Sequence, residues 1–104
     1  MNFQKLIKEA QKAQRKAAEV QEKLAQMTVV GSAGGGLVEV TATGQGQIVG
    51  VKLDPRAVDP EDVEALEDLV LVAIKDAQEK AHALAEEEMT RQLGSVGQML
   101  GGLL

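Results

Sequence analysis

The stretch Gly34 to Pro55, GGGLVEVTATGQGQIVGVKLDP, constrains this chain most, because two largely β-branched runs joined through Gly44-Gln45-Gly46 read as an antiparallel hairpin. In the first run Val38, Val40 and Ala42 alternate with Leu37, Glu39, Thr41 and Thr43; in the second Val49, Val51 and Leu53 alternate with Ile48, Gly50 and Lys52. An isolated hairpin is marginal in water and needs a further strand or a packed helix. Thr28-Val29-Val30-Gly31-Ser32 upstream is β-branched and is followed by Ala33-Gly34-Gly35-Gly36. That predicts a first strand and a glycine turn, hence three antiparallel strands over residues 28–54. The triple glycine is a turn rather than a phosphate-binding loop: no Lys-Ser or Lys-Thr follows it, and the next element is a strand, not a helix N-terminus.

Both flanks read as helix. Phe3, Leu6, Ala10, Ala13, Ala17, Val20, Leu24 and Met27 step by three and four, a heptad seam that predicts a helix over 1–27. Such a helix should pack along its length, either on the second helix or on another copy of the chain. After Asp54-Pro55, Asp59 is a natural N-cap with Pro60 at the first helical position and acids in the first turn, predicting a helix over 60–93 with Gly94 as its C-cap. Leu66, Leu69, Val70, Leu71, Val72, Ala73 and Ile74 cover nearly the whole circumference of its first half, so that half should be buried both on the sheet and against a second subunit. A helix of this length, ~50 Å, outruns three short strands, and its far end should project. Residues 94–104, with four glycines and Met99, Leu100, Leu103 and Leu104, read as a flexible tail or an apolar strap. The fold class is α+β: a long N-terminal helix, a three-stranded antiparallel sheet and a long C-terminal helix, in a single domain over 1–104.

Composition narrows the function. With 104 residues there is room for one core, and with Phe3 the only aromatic that core is thin, which favours association with a second copy. Absence of cysteine excludes disulfides and thiol chemistry. The N-terminus lacks an apolar signal region, and no apolar run approaches the ~20 residues that span a bilayer, so a cytoplasmic protein without a membrane partner is expected. Net charge is −5, but unevenly spread: residues 1–27 carry six bases and three acids, the remainder five bases and thirteen acids. A basic docking surface on an acidic body and two solvated helices are both compatible with that asymmetry.

Catalytic constellations are missing. His82 is the only histidine and sits among alanines; Glu61, Asp62, Glu64, Glu67 and Asp68 are placed as a solvated first turn and face; Glu86-Glu87-Glu88 point in different directions. Ser32 and Ser95 have no base nearby in sequence. No enzyme, cofactor, metal or small-molecule substrate is therefore expected. The remaining candidate is a stripe of Lys5, Lys8, Lys12 and Arg15 at helical spacing, with Lys16 beside it, opposite the apolar seam and spanning about 15 Å. It is either a solvated face or a phosphate-binding one. Lys23 and Arg91 are weaker candidates. Cations on a rigid helix bind phosphates and release counterions without reading bases. With no Tyr or Trp for base stacking, duplex DNA is the better partner than a single strand.

The chain resembles the YbaB/EbfC family of bacterial nucleoid-associated DNA-binding proteins. Gly34-Gly35-Gly36-Leu37-Val38-Glu39-Val40, Gly44, Val51 and Leu53-Asp54-Pro55 carry the likeness in the sheet. In the second helix it continues through Leu66-Glu67-Asp68-Leu69, Ala73 and Asp76-Ala77-Gln78-Glu79-Lys80, and Gln11, Gln14 and Gln21 space the first helix similarly. The likeness spans essentially the whole chain. It implies a homodimer whose sheets join and whose helices project like the arms of tweezers, located in the cytoplasm on the nucleoid. It further implies double-stranded DNA as partner, with effects on nucleoid organisation, gene expression or DNA repair. For that dimer Val38, Val40, Leu66, Leu69, Val70, Ala73 and Ile74 are the candidate interface, and Lys5, Lys8, Lys12, Arg15 and Lys16 the candidate DNA contacts. A rival reading is a dimeric acidic helical adaptor that holds a protein partner through the first helix and the apolar tail.

Overall fold

A computed structural model describes residues 2–101, with side chains to Gln92. In order the elements are α1 (Phe3–Gln26), β1 (Thr28–Ala33), β2 (Val38–Thr43), β3 (Ile48–Leu53), a single 3-10 turn at Pro55–Ala57, and α2 (Val63–Gly101). The molecule is elongated, 71 × 23 × 16 Å. The expected architecture of helix, three-stranded antiparallel sheet and long helix is present, with strand order β1-β2-β3.

The core is a stack of small residues. Val38, Val40 and Ala42 of β2 and Ala73 and Ala77 of α2 have no exposed surface, and Ala33 closes the cluster from β1. What allows so close a stack is Gly31: a Cβ there would lie 2.2 Å from the Ala77 nitrogen and 2.4 Å from the Ala73 carbonyl oxygen. The backbone of α2 therefore rests directly on β1. The turn from β1 to β2 uses Gly34, Gly35 and Gly36 at φ +64°, +67° and +94°, a left-handed run that other residues enter only at a cost.

Strict alternation fails at one point in β3. Val38 faces Leu53 and Val40 faces Val51, but the register then slips, so that Ile48 faces Ala42 and Val49 is the extra residue of a bulge. The slip turns Ile48 onto the core face, where it packs, instead of the outer face with Gly50 and Lys52 that simple alternation expects.

The two sheet edges differ. Along β1, the Ser32 N–H donates to Asp76 Oδ2 at 2.9 Å, and Lys80 Nζ donates to the Val30 carbonyl at 3.1 Å while bridging Asp76 at 3.1 Å. The Ser32 amide, and after it Lys80, hold the Asp76 carboxyl below the usual carboxylate range. Side chains of α2 thus occupy the Ser32 N–H and the Val30 carbonyl on the β1 edge. Among the described residues nothing pairs with the outer edge of β3.

Both helix boundaries on α2 differ from expectation. Asp59 and Pro60 form a turn, in which Asp59 Oδ1 accepts from the Glu61 N–H, and Asp62 Oδ1 then caps the helix by accepting from the Ala65 N–H. At the far end α2 runs through Gly94 to Gly101. A glycine within a helix costs about 1 kcal/mol relative to alanine, too little to stop it without a competing cap. The question of a flexible or strap-like tail falls on residues 102–104 and on side chains beyond Gln92, outside the described residues.

Within the chain, α1 packs along only part of its length. Only Val20 and Leu24 are buried, Ala13, Lys16 and Ala17 are half-buried, and Phe3, Leu6 and Ile7 are exposed. Asn2 starts the helix by accepting from the Lys5 N–H at 3.4 Å. The Gly44 N–H ends it, donating to both the Leu24 and Met27 carbonyls at 2.9 Å, so the hairpin turn grips the root of α1.

Candidate nucleic-acid interface

The sequence places the bases of α1 at i, i+3, i+4 steps opposite its apolar seam, and the fold keeps that seam turned toward α2 through Val20 and Leu24. Lys5, Lys8, Lys12 and Arg15 consequently face away from the body and are exposed; Lys16, at the flank, is half-buried. None of the five has an acidic partner among the described ion pairs. Solvated cations on a rigid rod can meet polyanion phosphates with no prior ion pair to break.

Lys23 and Arg91 are different. Lys23 Nζ contacts Glu88 Oε2 at 3.0 Å; Arg91 contacts Glu88 Oε1 at 3.1 Å and Glu87 Oε1 at 2.9 Å. Both are engaged by carboxylates, which separates them from the five free bases. Glu88 itself is 2% exposed, a buried acid that the divergence of Glu86-Glu87-Glu88 alone does not single out. Its signal is periodicity: positions 73, 77, 81 and 88 are the buried side of α2, with Leu84 and Ala85 half-buried between, so Glu88 continues an apolar stripe. The three consecutive acids do diverge, Glu86 reaching His82 Nε2 at 3.1 Å on the exposed side.

A shallow groove lies where α1, the hairpin turn and α2 meet, lined by Gln21, Leu24, Gln45, Gln78, Ala81 and His82. Gln45 Nε2 donates to the Gln21 carbonyl across it at 3.0 Å. Among the described residues no group of three or more His, Cys, Asp or Glu side chains converges on a point where a metal could sit. No described helix is long and apolar enough to cross a membrane.

Of the candidate interface residues, Val38, Val40 and Ala73 have 0% exposure and belong to the protomer's own core, so they have no surface to offer another copy. Leu66, Leu69, Val70 and Ile74 are half-buried at the margin of that core. Val70 and Ile74 lie on the flank of α2 opposite Asp76 and Lys80, that is, on the β3 side. There Val51 and Leu53 share the core face of the sheet but remain exposed, because α2 crosses β1 and β2 and leaves β3 uncovered. Val49, Val58, Val63, Leu71 and Val72 are exposed as well. The sequence pattern located the apolar set but could not divide it between intrachain core and outer patch.

The chain is similar to known proteins in sequence family and in fold. The model of the YbaB/EbfC DNA-binding family matches residues 1–96. A nucleoid-associated protein of Thermus thermophilus is 66% identical over 105 residues, covering 99% of this chain and 99% of that protein. One of Streptomyces griseus, also named a nucleoid-associated protein, is 50% identical over 101 residues, covering 97% of this chain and 85% of that one. The crystal structure of an uncharacterized protein from Helicobacter pylori superposes with a TM-score of 0.77 over 89% of this chain and 98% of that chain at 22% identity, which establishes a shared fold.

Proposed function

This chain belongs to the YbaB/EbfC DNA-binding family, and we propose that it binds duplex DNA without catalysis, as a homodimer, through the outward face of α1. The observation that carries the reading is the stripe of Lys5, Lys8, Lys12, Arg15 and Lys16, exposed or half-exposed and free of acidic partners among the described ion pairs. Residues 28–104 have eight more acids than bases and repel a polyanion, which confines contact to this face. A straight helix without Tyr or Trp suits the regular phosphate rows of a duplex better than unstacked bases. Since the relatives are named nucleoid-associated proteins, the nucleoid in the cytoplasm is the corresponding location, with nucleoid organisation, expression or repair as the process served.

Binding to a labelled duplex across a salt series tests the reading. Log affinity should fall linearly with log salt, with a slope of about −3.6 if one arm engages four phosphates and about −7.2 if two arms do, by the rule of about −0.9 per phosphate. Competitor DNA of unrelated sequence should displace the duplex about equally well. Absence of binding at low salt would sink the DNA reading in favour of the protein adaptor.

The homodimer is supported by the uncovered apolar patch of Val51, Leu53, Val70 and Ile74 beside the unpaired edge of β3. Val51→Asp is the informative variant, because Val51 is 51% exposed in the protomer and the change leaves the intrachain core untouched. Sedimentation should show a chain of single mass with native helicity, since a carboxylate buried without a partner is costly. A two-chain species of unchanged stability would show that the copies meet elsewhere.

A further inference from the structure

We infer that Glu88 is a positioning residue that sets the direction in which α1 leaves the body. Glu88 is the only charged side chain buried among the described residues. Its two oxygens serve different elements: Oε2 accepts from Lys23 of α1 at 3.0 Å, and Oε1 accepts from Arg91 of its own helix at 3.1 Å. Nothing about stability requires a charge there, because a buried ion pair can often be replaced by apolar side chains without loss of stability.

The geometry of α1 explains what the charge does. Its root is fixed by the Gly44 amide, which holds the Leu24 and Met27 carbonyls, and by the direct passage into β1 at Thr28. Along α1 Val20 and Leu24 are buried and Ala13, Lys16 and Ala17 half-buried, and Leu24 shares a groove with Ala81 and Ala85 of α2. Alanines spaced every turn present a shallow, repetitive surface, with little to resist a sideways swing. A rod gripped at one end can pivot; a second, directional attachment stops it. Lys23–Glu88 is that attachment: on α1 Lys23 adjoins the gripped Leu24, and on α2 Glu88 lies seven residues beyond Ala81, or about 10 Å at 1.5 Å per residue. Any swing that parts the pair strands Glu88 in an apolar seam, where its charge has no partner but Arg91. Eighteen residues separate Lys23 from Lys5, about 27 Å of helix. A swing of about 10° at the root therefore moves Lys5 by roughly 5 Å, a large displacement for a stripe that must match phosphates.

The inference rests on the DNA reading for its consequence, but the direction of α1 can be measured without DNA. The chain has no cysteine, so spin labels can be placed at Gln11→Cys and Ala83→Cys, both exposed positions on the two helices. Labelled chain is diluted into excess unlabelled chain so that only intrachain distances are read. The parent should give one narrow distance, whereas Glu88→Leu and Lys23→Met should each broaden it by about 3 Å or more, Gln11 lying about 18 Å of helix from Lys23, with the thermal midpoint held or raised. Arg91→Met should leave it narrow, because Arg91 is on the same helix as Glu88. On duplex DNA, Glu88→Leu should lose about fivefold in affinity through lost preorganisation, although residue 88 is far from the stripe.

A narrow distance retained in both Glu88→Leu and Lys23→Met would overturn the inference. So would broadening accompanied by a large fall in thermal midpoint, which is the signature of a merely structural residue. If the parent binds no DNA while the distances respond as described, the DNA reading fails and the positioning role stands.

Discussion

Gly31→Ala is expected to lose about 3 kcal/mol of stability or more, at or beyond the upper end of the range for overpacking a core. The reason is the identity of the neighbours. The new Cβ meets the Ala77 nitrogen and the Ala73 carbonyl oxygen, both backbone atoms of α2, and neither can rotate away as a side-chain tip would. Accommodation requires lifting α2 off β1, which also pulls Asp76 and Lys80 from Ser32 and Val30. For a chain of this size the thermal midpoint should fall by more than about 12 °C, read by circular dichroism. Gly35→Ala is the control. A Cβ there meets nothing within 4 Å, but φ is +67°, so only the left-handed backbone penalty of about 1–2 kcal/mol applies. Equal midpoints for the two variants would show that α2 does not rest on β1 as closely as described.

Reversing the charge of Lys5, Lys8, Lys12 and Arg15 to glutamate together should reduce duplex affinity by roughly a thousandfold or more at about 0.1 M salt, since each lost phosphate contact forfeits close to a factor of eight there. Fold stability should hardly move. All four side chains are exposed and none is in a described ion pair. Glutamate is as good a helix former as lysine, and near the N-terminus of α1 it is favoured by the helix dipole. Loss of binding with an unchanged melt would therefore belong to the charges. Retained binding would place the DNA contacts elsewhere, and a collapsed melt would assign the stripe a structural role.

Periodicity made the architecture readable. Steps of three and four in α1, alternation in β2 and the glycines between strands define elements whose local preference and tertiary use agree. Where the reading departs from the structure, a local rule met something that sequence spacing does not encode. The bulge at Val49 inverts the side of Ile48, and parity within one strand cannot reveal a slip relative to its neighbour. Asp59-Pro60 is an excellent helix start, but Asp62 is a second one three residues later, and the fold uses that one. Val38, Val40 and Ala73 are apolar and central, and an apolar position carries no mark of whether its cover is its own chain or another. Gly31 looks like any strand glycine until α2 is laid on it.

The candidate site divides in the same way. The basic stripe is a property of one helix, so it is legible from residue numbers alone, and the fold leaves its bases facing outward. The role of Glu88 depends on two helices meeting 65 residues apart in the chain, a separation over which spacing carries no information.

The unequal treatment of the two sheet edges has a consequence for how copies can add. A sheet with both edges bare is a template at each side, and each added copy offers a fresh edge to the next, which is the route to fibres. Here Asp76 and Lys80 occupy the Ser32 N–H and the Val30 carbonyl on the β1 edge, whereas no described group engages the outer edge of β3. Pairing across β3 consumes the open edge of each copy and exposes no new one. Two side chains on α2 thereby make the β1 edge a poorer template than the β3 edge, which biases any sheet growth toward stopping at a pair.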